Sequence, residues 1–101
     1  MISPSLTIPD TALRDFCAKR HIRTLKLFGS ALRDDFAPES DIDLLVEFAP
    51  GTRMGLFGFH EIEAELSEIL GRQVDLNTAD SLSKYFRAEV LAEAETLYVA
   101  A

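Results

Sequence analysis

Asp41-Ile42-Asp43-Leu44-Leu45-Val46-Glu47-Phe48 is the stretch on which the fold turns. Ile42, Leu44, Val46 and Phe48 alternate with Asp41, Asp43 and Glu47, the period of two that sends successive side chains to opposite faces of a strand. One face is wholly apolar and anchors the strand on a core. On the other, Asp41 and Asp43 point the same way about 6.6 Å apart, so their carboxylates can converge on ions lying between them. Two bare carboxylates that close repel each other. A divalent cation removes that penalty, and Mg²⁺ characteristically takes one or two protein carboxylates while water and substrate phosphates fill its other positions. Leu45 stands out as an apolar residue on the acidic face.

Upstream, residues 22–28 form a second strand, with Leu25 and Leu27 alternating against Thr24 and Lys26. Gly29-Ser30 ends it, with ten residues between Ser30 and Asp41. A short helix or turn is expected over residues 31–36, leading through Pro38 into the acidic strand. Unpaired backbone N–H groups at such a turn favour an anion. Glycine lets the backbone approach a phosphate closely, and serine adds a hydroxyl donor. Further upstream, Thr7-Ile8-Pro9-Asp10 reads as a capping box for a helix over about residues 8–20, with Leu13, Phe16 and Cys17 at helical spacing.

Downstream, Ala49-Pro50-Gly51 stops the acidic strand. Residues 52–60 combine Gly55 and Gly58 with Met54, Leu56, Phe57 and Phe59, and read as a loop leading into a helix. That helix runs through Ile62, Leu66, Ile69 and Leu70 to Gly71, which sits where a C-terminal cap glycine belongs. A short strand follows at residues 72–77. Its Val74 and Leu76 face the core, so Asp75 faces the same way as Asp41 and Asp43 if this strand pairs beside theirs. A final helix starts at Asp80 or Ser81 and runs through Leu82, Phe86, Val90, Leu91 and Ala94, and Leu97-Tyr98-Val99 adds a short strand. The order αβ(α)βαβα predicts an α/β (α+β) sandwich in which helices cover mainly one face of a small sheet.

The chain has 101 residues, 48% of them hydrophobic, and carries seventeen acidic against ten basic side chains for a net charge of −7. That length suits a single domain spanning residues 1–101 with one two-layer core, and excludes a multidomain enzyme. There is no long apolar run and no basic, apolar start of the secretory kind, so a cytoplasmic protein that does not engage membranes is expected. A lone cysteine, Cys17, makes neither an internal disulfide nor a thiol metal site. The acidic balance argues against direct DNA or RNA binding, which draws its affinity from lysine and arginine contacts to phosphate. Phosphate, if handled here, must be met through metal ions.

The runs Leu27-Phe28-Gly29-Ser30-Ala31-Leu32-Arg33, Ser40-Asp41-Ile42-Asp43-Leu44-Leu45-Val46-Glu47-Phe48 and Gly71-Arg72-Gln73-Val74-Asp75-Leu76 together resemble a minimal nucleotidyltransferase (MNT) domain of the DNA polymerase β-like superfamily. Residues 87–94 are similar to the last helix of that family. The resemblance implies a small mixed sheet and transfer of a nucleoside monophosphate, AMP from ATP, to a hydroxyl with release of pyrophosphate. It implies that Gly29 and Ser30 bind the triphosphate, that Asp41 and Asp43 ligate two Mg²⁺, and that Asp75 completes the site of the ion that activates the hydroxyl. Such two-metal chemistry places ions about 3.5–4 Å apart and needs no histidine base. It further implies a HEPN-domain toxin, an RNase, as partner in a hetero-oligomer, with this chain as an antitoxin that adenylylates a tyrosine of the toxin. A rival reading is a non-enzymatic antitoxin that neutralises such a toxin by binding alone. Three converging carboxylates serve no purpose in pure masking, which favours the enzyme.

Other residues draw plainer readings. His60 is expected at the surface of a helix start, Cys17 in the core, and Arg33 and Arg53 in solvent. The segment 54–59 either packs under a loop or forms an exposed apolar patch of the kind that marks a partner surface.

Overall fold

In a computed structural model, residues 8–32, 41–85 and 87–100 are described. The elements are α1 (Asp10–Lys19), β1 (Ile22–Phe28), a 3₁₀ turn (Gly29–Leu32), β2 (Ile42–Phe48), α2 (Leu56–Leu70), β3 (Val74–Asn77), a second 3₁₀ turn (Ala79–Ser81), α3 (Arg87–Glu93) and β4 (Glu95–Val99). β1 and β2 fall where their alternation places them. They pair antiparallel, with Leu25 opposite Val46, Leu27 opposite Leu44 and Phe28 opposite Asp43. β3 joins β2 in parallel, which the intervening α2 allows as a crossover connection. β4 pairs antiparallel with β1, giving a mixed sheet of order β3-β2-β1-β4.

The inward residues of β1, β2 and β3 meet the two longer helices. Leu13 and Cys17 of α1, with Ile62, Leu66 and Leu70 of α2, pack on Leu25, Leu27, Ile42, Leu44, Val46, Val74 and Leu76. Each such fully buried leucine contributes about 1.5–3 kcal/mol relative to exposure. α1 and α2 thus cover one face of the sheet, as the sequence pattern predicts. Cys17 lies in this core, and burial pushes its thiol up to about 11, so it remains a neutral apolar filler. Among the described residues no helix is long and apolar enough to cross a membrane.

Several boundaries differ from the sequence expectation. α1 begins at Asp10 with Pro9 at its N-cap and no side-chain cap; Thr7, the expected cap, lies outside the described residues, as do Arg33, Pro38 and residues 33–36 of the expected short helix. The turn that does appear starts earlier, at Gly29. α2 starts at Leu56, so much of the expected loop is helix. Gly58 inside that helix is explained by Met54, whose Cγ would lie 3.0 Å from a Cβ there. α2 ends at Gly71, whose φ of +69° is the left-handed geometry glycine adopts freely, and the Arg72 N–H donates to Ser67 O at 3.2 Å in the Schellman pattern. That cap consumes the first residues of the expected third strand, which therefore begins at Val74.

The expected final helix is broken. Thr78 and Ser81 cap each other reciprocally, the Ser81 N–H donating to Thr78 Oγ1 and the Thr78 N–H to Ser81 Oγ. Leu82 then turns extended, with ψ of 145°, to bury its side chain. Helix resumes only at Arg87; Phe86 lies outside the described residues. Local capping and a buried leucine outweigh helical propensity here. The short strand expected at Leu97-Tyr98-Val99 forms as β4, beginning two residues earlier at Glu95.

Arg20, just past α1, ties the two helices through Glu61 and Glu65 of α2 while its guanidinium lies 5.8 Å from the Phe16 ring centre. Its side chain is about a third exposed, so solvent screens the pairs. Arg20→Ala is expected to lower unfolding free energy by only about 0.5–1 kcal/mol. Urea denaturation at low and high salt checks this, the loss shrinking as salt rises.

Candidate active site

With α1 and α2 on one face, the side chains pointing the other way along each strand are left on the second face. On β2 these are Asp43, Leu45 and Glu47; on β3, Asp75 and Asn77; on β1, Thr24, Lys26 and Phe28. Asp41 stands immediately before β2 and is exposed. The parallel register sets Asp43 directly opposite Asp75. This pairing, which the sequence reading left conditional, turns Asp75 outward and leaves Val74 and Leu76 in the core.

Asp43 is half-buried at the centre of the group. Burial pushes its carboxyl above the usual carboxylate range, and the neighbouring charges of Asp75 and then Asp41 push it further. Asp41, Asp43 and Asp75 are therefore one electrostatic unit. Among the described residues no three carboxylate, imidazole or thiol groups are drawn together tightly enough to hold a metal ion as they stand. Like charges repel one another in such a group, and a divalent cation among them would reverse the sign of that interaction. The donor set is all carboxylate oxygen, the chemistry that Mg²⁺ takes alongside water and phosphate ligands.

Gly29 ends β1 with φ of +76°. A Cβ at this position would fall on the Asp43 carboxylate, with Asp43 Cγ at 3.2 Å and Cβ at 3.3 Å. Glycine is needed here twice over, for the turn and for the close approach of backbone to carboxylate. Ser30 follows in the same 3₁₀ turn; its side chain lies outside the described residues.

Beyond the carboxylates, a groove of about 490 Å³ runs along the same face, with Thr24, Lys26, Leu45, Glu47, Asp80 and Leu91 among its walls. The sequence reading did not single out Thr24, Lys26 or Asp80. The alternation of Thr24 and Lys26 with Leu25 and Leu27 carried the signal for the first two, since the register with β2 puts them on the carboxylate face; Asp80 arrives only through the capped turn after β3. Leu45, the odd residue on the acidic strand face, is buried in the floor of this groove.

His60 is exposed and pairs with Glu63 on its own helix, Nδ1 to Oε1 at 3.4 Å, and Arg53 is exposed. The 54–59 segment divides between the two expectations: Phe59 packs against the core, while Leu56 and Phe57 are 70% and 91% exposed.

The Nucleotidyltransferase domain family matches residues 10–97. Protein adenylyltransferase MntA of Thermococcus cleftensis is 36% identical over 72 residues, 71% of this chain and 71% of that protein. A Methanocaldococcus jannaschii chain assigned as a protein adenylyltransferase is 36% identical over 76 residues, 75% of this chain and 80% of its own. Among solved structures, one assigned as a minimal nucleotidyltransferase superposes with a TM-score of 0.69 at 31% identity, covering 85% of this chain and 86% of that one. A toxin–antitoxin structure with AMP-PNP superposes at 0.72 with 20% identity, covering 92% and 75%. A tri-AMPylated Shewanella oneidensis HEPN toxin in complex with its MNT antitoxin superposes at 0.62 with 19% identity, covering 90% and 70%. At the identities of these last two the likeness is one of fold. With the family match spanning nearly the whole chain and the carboxylate face built as described, the protein belongs to the nucleotidyltransferase domain family and is a nucleotidyltransferase.

Proposed function

We propose that this nucleotidyltransferase moves AMP from ATP to a protein hydroxyl, a tyrosine of a HEPN-type toxin, and so acts as the antitoxin of that partner. The observation that carries the reading is the pairing of Asp43, beside Gly29, with Asp75, and the electrostatic coupling of Asp43 to both Asp75 and Asp41. Relatives named as protein adenylyltransferases support the choice of AMP and of a protein acceptor. Fold neighbours that include an antitoxin in complex with a HEPN toxin support the partner.

In this reading Asp41 and Asp43 hold two Mg²⁺ and Asp75 completes the ligand set on the acceptor side. Bound there, the ions neutralise the triphosphate and lower the acceptor hydroxyl's pKa. Gly29 brings backbone N–H groups close to the phosphates, and the Ser30 hydroxyl adds a donor. The groove along β1 and β2 gives the substrates room on the same face. The acceptor oxygen bonds to the α-phosphorus as the bond to pyrophosphate breaks; pyrophosphate departs and the hydroxyl proton passes to solvent.

Intact mass spectrometry of the protein mixed with Mg-ATP and the product of the neighbouring gene tests this. Adenylate-sized mass increments on the partner are expected. A partner neutralised at unchanged mass would instead establish binding alone as the mode of action.

A further inference from the structure

β3 is one of the two edge strands of the sheet. Its inner side pairs with β2, and the Ile42 N–H donates to Gln73 O at 2.8 Å on that side. Backbone groups alternate along a strand, so the N–H groups of Val74 and Leu76 point away from β2, where an unprotected edge would present them to solvent or to another chain. Both are taken up by side chains of α2. The Val74 N–H donates to Ser67 Oγ at 3.0 Å, and the Leu76 N–H donates to Glu63 Oε2 at 2.8 Å. Ser67 in turn donates to Glu63 O at 2.9 Å, and Glu63 Oε1 faces His60 Nδ1. These two bonds grip the backbone on either side of Asp75. Between them Asp75 stands on a strand only four residues long, whose backbone pairs with one other strand, β2.

We propose that Glu63 and Ser67 are positioning residues for the carboxylate face: by holding the Leu76 and Val74 N–H groups they fix the direction of Asp75 and with it the affinity of the face for a divalent cation. The proposal rests on the reading of Asp41, Asp43 and Asp75 as metal ligands. Outer groups that orient a ligand characteristically change metal affinity about 10–100-fold. Glu63 also carries a negative charge, so charge and hydrogen bonding must be separated. Glu63→Gln removes the charge and keeps a carbonyl oxygen that can accept from Leu76.

The test is Mn²⁺ binding to the protein alone, followed by electron paramagnetic resonance, with amide hydrogen exchange at residues 74–76 as the structural readout. Glu63→Ala is expected to weaken Mn²⁺ binding about tenfold and to speed exchange at Leu76. Glu63→Gln should stay close to the parent, and Glu63→Ala added to Asp75→Asn should cost nothing further. Wild-type affinity in Glu63→Ala, with Asp75→Asn weakened, overturns the positioning role while leaving the metal site standing. Equal loss in Glu63→Gln and Glu63→Ala overturns it too, because charge rather than the backbone bond would then be at work. Unchanged affinity in Asp75→Asn removes Asp75 from the site and overturns both readings. Should Glu63→Ala not fold, Ser67→Ala, which removes the acceptor of the Val74 N–H, decides by the same criteria.

Discussion

Asp43→Asn is expected to abolish nucleotidyl transfer and, in metal-free buffer, to make the protein more stable. Loss of transfer follows from its place at the centre of the carboxylate group, and a fall on the order of 10³-fold is expected when a central electrostatic contributor is removed. The gain in stability follows from the direction in which its proton affinity is displaced. Burial, then Asp75, then Asp41 raise the Asp43 pKa above the ordinary 3.8. A group whose folded-state pKa is raised favours folding in its protonated form. That contribution is fully present below the unfolded value and is lost as pH rises through the raised folded value. At neutral pH the ionised Asp43 is therefore a standing cost of the metal-free fold, and asparagine, close in shape to the protonated acid, removes it. Thermal melts in chelator across the acid-to-neutral range should show the variant's advantage growing as pH climbs above 3.8, then levelling. Adding Mg²⁺ should raise the melting temperature of the parent and leave the variant nearly unchanged. A variant less stable than the parent at neutral pH without metal would contradict this account.

Gly29→Ala should damage both folding and transfer. Its φ of +76° is costly for any residue with a Cβ, and that Cβ would collide with the Asp43 carboxylate. The backbone contribution alone is about 1–2 kcal/mol; displacement of Asp43 adds to it and moves a proposed ligand, so transfer should fall at least about a hundredfold. The two components separate in a double-mutant cycle. In an Asp43→Ala background the carboxylate collision is gone and only the contact with the residue-43 Cβ at 3.3 Å remains, so Gly29→Ala should then cost little more than the backbone strain. Chemical denaturation of the four proteins measures it. Equal cost in both backgrounds would show that Asp43 is not what the Gly29 position accommodates.

Much of this molecule was legible along the chain. β1 and β2 were readable because alternation of apolar and polar side chains is a local signature of a strand buried on one face, and Leu25, Leu27, Ile42 and Leu44 carry it without interruption. Gly71 marked the end of α2 because a left-handed cap is also a local requirement. The segments that misled are those where a distant partner decides. Gly55 and Gly58 suggested a loop, yet Gly55 is only the extended N-cap of α2, Met54 lies beside Gly58 and Phe59 packs on the core, so helix starts at Leu56 and runs through Gly58. Leu82 fitted a helical stripe, but burial pulls its backbone out of helix after the Thr78–Ser81 cap.

The amino-acid sequence by itself determined the two inner strands, the apolar stripe that lays α2 on them, and the pair Asp41 and Asp43, because each depends on spacings within a single element. Only the tertiary structure decided that Asp75 joins them. Its direction comes from the parallel register of β3 on β2, and a slip of one residue would have turned it into the core. The edge bonds from Ser67 and Glu63 that flank it link α2 to β3 across the crossover, and no periodicity within either element encodes such a contact.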